Sequence, residues 1–332
     1  MSSEDAGVQP VPAGTGAAPM TLPGGRSQDD LVRREPPGPD SGGVGWLQAN
    51  MAKLVLSPSL AVTLIFVYGF IIWTVVLSFS TSRLLPVYKW AGLEQYARLW
   101  STPNWYVAIK NLAIYGGLYI AISLFLGLLI AILLDQRIRG EGGLRPIFLY
   151  PMAISFIVTG TAWQWFLNPG LGLDRVMHSW GWTSFRFDWL INPDMAIYTV
   201  VIAGVWQTSG FIMAMFLAGL RGIDNEVIKA AQIDGAPTFQ IYRRIIVPQL
   251  RPVFLSALII LLHMAIKSYD LVIALTGGGP GNATELPSTF MYSYTFTRNA
   301  MGVGAASAVM MLMTIAAIIV PYLYSELRER RS

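Results

Sequence analysis

The chain has 332 residues, of which 54% are hydrophobic and 13% are charged, and its mean hydropathy is +0.50. Because a soluble domain carries about a quarter charged residues, and because the apolar residues here come in runs of roughly 20, the composition predicts an all-α membrane protein with several spans. The lack of cysteine excludes disulfides and thiolate chemistry, and only two histidines argue against a metal centre. The net charge of +4 reflects basic residues beside the spans and does not indicate nucleic-acid binding.

The first 50 residues are rich in Gly, Pro, Ser and Asp and have no apolar periodicity. This composition predicts a disordered tail over 1–50, followed by a membrane domain over 51–332. The tail has no apolar run near its start, so we do not interpret it as a cleavable signal peptide.

Six apolar segments follow the tail, and the segments between them alternate in charge. Every second connection, together with the two ends of the chain, holds about twice as many Lys and Arg residues as the remaining connections. The positive-inside bias therefore places both termini and the 221–251 loop in the cytoplasm. The predicted spans lie near 59–80, 112–134, 146–167, 196–220, 252–275 and 303–324.

The predicted outside connections are rich in tryptophan. Tryptophan prefers the membrane–water interface, so these rings are typical of an interfacial belt. A second interpretation, which the sequence leaves open, is a docking surface for a soluble protein outside the cell. The tryptophans concerned are Trp90, Trp100, Trp105, Trp180, Trp182 and Trp189.

The 221–251 loop has the pattern of two short helices joined by a glycine turn. Asp224 is an N-cap residue type, and Gly235 followed by Pro237 indicates the end of the first helix. A second helical segment is predicted from Thr238 to Val247. An ordinary basic loop at the lipid headgroups would also fit, but ordered loops of this length are usually functional.

The loop resembles the EAA motif of permease subunits in binding-protein-dependent ABC importers. Lys229-Ala230-Ala231 is followed after three residues by Gly235 and after nine more by Ile245, and the segment closes at Val247-Pro248. The spacing agrees with the motif throughout, but Lys229 stands where the motif has Glu, and Val247 where it has Leu. Glu226, one turn earlier, is predicted to supply the missing carboxylate.

Further cues are Gly219-Leu220, Leu271 to Ala274 before the glycine cluster, and the run from Thr289-Phe290-Met291-Tyr292 to Ala305-Ala306-Ser307-Ala308. With these cues, the chain resembles the carbohydrate-uptake group of these importers over residues 58–328. The resemblance implies a type I ABC importer permease fold, alternating access, and docking of the loop on a cytoplasmic ATPase. It also implies a second related permease subunit, a periplasmic or extracellular sugar-binding protein and a bacterial inner membrane. The substrate it favours is glucose, mannose or an α-glucoside. The residues it assigns to ATPase coupling are Glu226, Lys229, Ala230, Ala231, Asp234, Gly235, Ala236 and Pro248.

The sequence has no Gly-x4-Gly-Lys-Ser/Thr phosphate loop. We therefore expect no catalytic residues and no cofactor in this chain, with ATP and Mg²⁺ used by the partner ATPase. The glycine cluster at 277–281 has no following Lys and is interpreted as a flexible turn.

The fifth predicted span carries His263, Lys267 and Asp270 at helical spacing, which predicts that they share one face and that Lys267 pairs with Asp270. A charge near the bilayer centre costs roughly 2.5–3.5 kcal/mol, so this face should point to a protein interior or an aqueous path. Three interpretations remain open: a structural ion pair, a polar wall of a sugar path, or a proton relay.

The third and fourth predicted spans carry aromatic and amide side chains together, at Trp163 and Gln164 and at Trp206 and Gln207. Such groups suit the apolar patches and hydroxyl rim of a sugar ring, although polar residues between spans also serve only to hold helices together. The sequence therefore predicts a permease subunit of an ATP-driven sugar importer. The alternatives are a proton-coupled secondary transporter that uses the His263–Lys267–Asp270 face, and a membrane-embedded scaffold.

Overall fold

The computed structural model describes residues 43–136 and 141–329, and the chain divides into two units, Met1–Tyr68 and Gly69–Ser332. In the first unit, helix α1 covers Gly43–Thr63 and a π-helical turn covers Leu64–Tyr68. The helix therefore begins inside the predicted 1–50 tail, while residues 1–42 lie outside the described residues. The exposed hydroxyls of Ser57 and Thr63 donate to carbonyls of their own helix, which is how such groups are satisfied in lipid.

The second unit is helical throughout its described residues, apart from turns and one antiparallel bridge between Ser80 and Trp90. Two further π-helical turns cover Tyr242–Ile246 and Ser293–Thr297. The helices are α2 (Gly69–Ser78), α3 (Glu94–Ser101), α4 (Pro103–Asp135), α5 (Glu141–Ala153), α6 (Phe156–Phe166), α7 (Leu173–Ser179), α8 (Ala196–Arg221), α9 (Asn225–Ile233), α10 (Thr238–Ile241), α11 (Val247–Gln249), α12 (Arg251–Ile266), α13 (Asp270–Thr276), α14 (Pro287–Tyr292) and α15 (Met301–Glu329).

Four segments of the described chain are long and apolar enough to cross a membrane by themselves, and two bent helix pairs bring the number to as many as six. The four are Lys53–Ser78, Pro103–Asp135, Ala196–Arg221 and Met301–Tyr322. This agrees with the six predicted apolar segments, but the third and fifth of them are not continuous helices.

The third predicted span is broken between α5 and α6, whose axes differ by 99°. Ser155 sits at the break, and its hydroxyl accepts a hydrogen bond from the backbone N–H of Val158. A serine cap favours the start of a new helix at Phe156 over continuation of the old one. The fifth predicted span is interrupted at Lys267–Tyr269, between α12 and α13.

Helix α8 lies at the centre of the second unit and holds the first break in place. Its Gln207, 1% exposed, donates from Nε2 to the carbonyl oxygen of Ile154 at 2.8 Å, which satisfies a backbone group freed by the break. One turn later, a Cβ at Gly210 would collide with the backbone of Phe148 on α5. Helix α8 also packs tightly on α4, where Gly204 faces the stacked rings of Tyr115 and Tyr119.

The second halves of the two broken spans, α6 and α13, pack on each other. A Cβ at Gly160 would lie 2.6 Å from Ala274 Cβ and 3.0 Å from the carbonyl oxygen of Leu271, so only glycine allows this approach. The contact places Phe156, at the start of α6, beside the junction of α12 and α13.

Replacing Gly210 by Ala should destabilise the protein by about 1–3 kcal/mol, because the added methyl meets backbone that cannot rotate away. The measurement is the thermal unfolding of the purified protein in detergent. Gly117→Ala on α4 is the matched control, since a Cβ there meets nothing within 4 Å. Equal stability of the two variants would show that α5 does not pack closely on α8.

Candidate functional site

The loop between α8 and α12 has the predicted helix–turn–helix form. Asp224 caps α9, its side chain accepting from the backbone N–H of Glu226 at 2.9 Å. Helix α9 ends at Ile233, and Gly235 has a φ of 78°, a left-handed conformation that other residues adopt only with strain. Pro237 precedes α10, which continues through the π-helical turn to Gln249.

The loop has one face against the protein and one face open. Ala231 and Ala236 pack against the main hydrophobic core, which fixes the turn on the membrane domain. The cavity beside the turn measures about 410 Å³, and its lining includes Ala231, Asp234, Gly235, Ala236 and Arg244. Of the remaining coupling residues predicted from the sequence, Glu226, Lys229, Ala230 and Pro248 are exposed.

Two large apolar side chains of the loop are exposed on either side of the turn: Ile233 is 86% exposed and Phe239 is 74% exposed. Sequence reasoning did not single out either residue. In a loop outside the apolar spans, exposed apolar groups rimmed by charge are typical of a protein docking surface.

His263, Lys267 and Asp270 come together in a way that the sequence did not predict. Helix α12 ends at Ile266 and Asp270 begins α13, so the three do not share the face of one helix. The predicted ion pair was wrong: within the described ranges, no contact of 4.0 Å or less joins Lys267 to Asp270. The helix break removes the i, i+3 spacing on which that pair depended.

The three polar residues nevertheless line the same space. All of them are exposed on this chain and border two cavities, of about 200 Å³ and about 470 Å³. Sequence reasoning missed the aromatic residues beside them. Phe156 lines the smaller cavity, and the rings of Tyr269 and Tyr292, 4.8 Å apart, line the larger one.

The junction between α12 and α13 is held by buried hydrogen bonds. Tyr115 donates from its hydroxyl to Ser268 Oγ at 3.2 Å, and Ser288 donates from Oγ to the carbonyl oxygen of Ser268 at 2.9 Å. These bonds tie the junction to α4 and α14, so the polar residues on either side of Ser268 project from a fixed backbone.

The remaining predicted path residues lie elsewhere. The rings of Trp163 and Trp206 meet edge to face, with centroids 5.8 Å apart, and Gln164 is half-buried on α6. None of them lines either cavity at the α12–α13 junction. Gln207 is buried and holds the break in the third span, so its role in the structure is to support the fold.

A buried carboxyl group, that of Glu285, lies in the segment between α13 and α14. Sequence reasoning interpreted the glycines of this segment as a turn but did not single out Glu285. Glu285 is 5% exposed, and its Oε2 makes no hydrogen bond within the described residues. Asn111 on α4 donates to the carbonyl oxygens of Ala283 and Glu285, which holds the segment in place. Burial raises the pKa of the Glu285 carboxyl from 4.5 to about 7, although the charge of Arg298 acts in the opposite direction.

The described helices, with two broken spans and a helix–turn–helix loop, define a multi-pass membrane permease. Residues 123–331 match the family described as binding-protein-dependent transport system inner membrane component, and the chain belongs to this family. Members of the family are the membrane components of such systems and not their ATPases.

Two relatives and one solved structure indicate what the chain is similar to. It is 39% identical over 273 residues to a probable ABC transporter permease protein of Pyrococcus horikoshii, covering 82% of this chain and 94% of the relative. It is 36% identical over 267 residues to the xylose/arabinose import permease protein of Haloferax volcanii, covering 79% of this chain and 84% of the relative. A bacterial ABC transporter that imports alginate matches with a TM-score of 0.74 and 22% identity over 86% of this chain and 97% of that one, a likeness in fold.

Glu285→Gln should make the protein more stable above pH 7 and leave it unchanged near pH 4. The folded-state pKa lies above the unfolded one, so the native protein binds the extra proton and loses stability as pH rises from 4.5 to about 7. The free energy of unfolding falls by up to ~3 kcal/mol in total over this pH range, and glutamine removes this loss because it does not ionise.

The measurement is the apparent melting temperature of both proteins between pH 4 and pH 8. Glu94→Gln is the control, since Glu94 is exposed in a surface ion pair with Arg98. Parallel pH profiles for wild type and Glu285→Gln would contradict the assignment.

Proposed function

We propose that the chain is a permease subunit of an ATP-driven ABC importer that moves a sugar across a bacterial inner membrane by alternating access. Both termini and the 221–251 loop lie in the cytoplasm in this proposal. Paired ATPase subunits bind the loop and use ATP and Mg²⁺, a second related permease completes the path, and a periplasmic or extracellular binding protein delivers the sugar. The family membership and the xylose/arabinose relative support the class of transporter and the class of substrate.

The observation that carries the proposal is the form of the 221–251 loop: one face packs on the membrane domain, and the other exposes apolar side chains. A partner that covers Ile233 and Phe239 removes two strongly exposed apolar side chains from water. Because Ala231 and Ala236 pack on the core, a displacement of that partner acts on the membrane domain and not only on a flexible loop.

The loop also has a direct connection to the polar cavities. Thr238–Gln249 runs into α12 through a bend of 63°, and α12 ends at Ile266, one residue before Lys267. Ile246 and Leu250, both buried, hold the bend against the rest of the chain. A movement of the loop is thus passed through this bend and along α12 to the residues that border both cavities.

The proposed sugar path is the α12–α13 junction. His263, Lys267 and Asp270 offer donors and acceptors for sugar hydroxyls, and Tyr269 and Tyr292 offer ring faces for the apolar side of a sugar. A neighbouring cation and anion favour a neutral ligand over a charged one. We propose a monosaccharide such as glucose or mannose as the substrate, with an α-glucoside as the larger alternative. The two are distinguished by measuring how strongly each unlabelled sugar competes with the uptake of a labelled one.

Ala231→Glu should reduce co-purification of the ATPase by at least about ten-fold, since it places a charge at a half-buried contact of the loop. Gly235→Pro should do the same, because proline cannot adopt the φ of 78°. The measurement is the ATPase-to-permease ratio after affinity purification. Ala97→Glu, which adds the same charge at an exposed position on α3, is the control and should keep the wild-type ratio.

Asp270→Ala should lower sugar uptake at least about ten-fold without loss of the ATPase from the complex, because the carboxylate borders both cavities. Uptake of labelled sugar into cells or proteoliposomes is the measurement. The control is Asp194→Ala, which removes an exposed carboxylate from another loop. Wild-type uptake by Asp270→Ala would take Asp270 out of the path.

The same uptake assay separates the proposal from a proton-coupled transporter. The comparisons give that alternative no support, and the importer should keep its uptake in the presence of an uncoupler while ATP is held constant. Loss of uptake under those conditions, together with loss in His263→Gln, would favour proton coupling through the α12–α13 junction.

A further inference from the structure

Helix α14 and the π-helical turn that follows it carry two pairs of aromatic rings on opposite faces. The rings of Phe290 and Tyr294 have their centroids 4.0 Å apart, and those of Tyr292 and Phe296 have theirs 5.1 Å apart. Each pair stands at i and i+4, where side chains of a helix are neighbours. The two pairs are offset by two residues, or about 200° around a helix, so they face opposite sides.

The first pair belongs to the core and fixes the segment. The ring of Phe290 is fully buried, and its centroid lies 5.1 Å from that of Trp105 on α4. Arg298 lies over the ring of Tyr294, with its guanidinium carbon 4.7 Å from the centroid, and donates from Nη1 to the tyrosine hydroxyl at 2.9 Å. The second pair is therefore carried by a segment that is already held from its other face.

The second pair is exposed and continues the wall of the larger cavity at the α12–α13 junction. Ser288 and Tyr292 line that cavity, and Phe296 is the next residue on the same stripe of the segment. Tyr292 is 43% exposed and Phe296 is 63% exposed. Because Tyr269 lies on the other side of Tyr292, with centroids 4.8 Å apart, three rings form one row from the junction to Phe296.

The two ends of this row differ in chemistry. At the junction the rings stand beside Lys267 and Asp270, which border the same cavity and supply a hydrogen-bond donor and acceptors. Phe296 lies beyond the residues that line the cavity, five positions before Met301, where the last apolar segment begins. A sugar ring held at the polar end would therefore leave the face of Phe296 uncovered.

We propose that Tyr292 and Phe296 form a second sugar subsite, which takes the next sugar unit of a substrate whose first unit is held at the α12–α13 junction. Aromatic faces bind the apolar side of a sugar ring and leave its hydroxyls to polar groups and water. The subsite rests on the proposed function and favours the α-glucoside, the larger of the two substrates proposed above. The π-helical turn Ser293–Thr297, which contains Phe296, is of a kind that is frequent at functional sites.

The test is uptake of labelled maltose, an α-glucoside of two glucose units, and of labelled glucose into proteoliposomes that hold the assembled importer and are supplied with its binding protein. Phe296→Ala should lower maltose uptake about five-fold, the size of one lost ring contact, and leave glucose uptake unchanged. Phe296→Trp, which keeps a ring at this position, should retain maltose uptake. The matched control is Phe125→Ala, which removes a phenylalanine of similar exposure from α4 and should alter neither uptake.

The outcomes separate the subsite from the proposed function. Uptake of glucose alone by wild type, or wild-type uptake of maltose by Phe296→Ala, would overturn the subsite and leave the sugar importer standing. An equal loss of both sugars in Phe296→Ala would place this ring against lipid or another subunit and would also overturn the subsite. Absence of uptake of either sugar by wild type, with the ATPase still bound, would reject the proposed substrates together with the subsite.

Discussion

The structure of the membrane domain depends on one constraint: backbone polar groups within a bilayer need partners inside the protein. A broken span frees such groups, and helix α8 together with Ser155 at the break supplies what the first break requires. Gln207 donates to the carbonyl oxygen of Ile154, and Ser155 accepts from the N–H of Val158. The absence of a side chain at Gly210 lets the backbone of α5 approach closely enough for the first of these bonds to form.

The same constraint explains why the irregular backbone and the cavities occur together. The interruption at Lys267–Tyr269 is tolerated because Ser268 bonds to Tyr115 and Ser288, and the neighbours of Ser268 border open space. In an unbroken helix His263, Lys267 and Asp270 would lie on one face. Because of the break, they instead form a polar edge between two cavities. Helix α12 joins that edge to the 221–251 loop, which gives the proposed coupling its physical path.

Local chemistry made several features predictable. Apolar runs long enough to span, Asp224 before a helical stretch, and Gly235 followed by Pro237 are each decided within a few residues of sequence. The helix–turn–helix loop therefore appears in the structure much as expected. The predicted pairing of Lys267 with Asp270 was wrong because it assumed that an apolar run of sufficient length forms one helix, and apolar content does not distinguish a straight span from a broken one.

Other features had no signal in the sequence. Nothing near Gln207 indicates that it bonds across to Ile154, and nothing near Glu285 indicates that its carboxyl is buried. Both depend on partners many positions away in the chain, such as Asn111, which holds the backbone of Glu285. Arg145 and Arg221, which are far apart in the sequence, likewise line one cavity only because α5 lies against α8.

The sequence by itself determined the class of protein, the number of apolar segments and the form of the 221–251 loop, because hydropathy, helix caps and glycine turns act over short distances. Only the tertiary structure decided where the spans break, which polar side chains share a cavity, and which are buried and hold the backbone in place. Those outcomes depend on contacts between helices, such as Gly160 against α13 and Gly210 against α5, whose energies are absent until the helices meet.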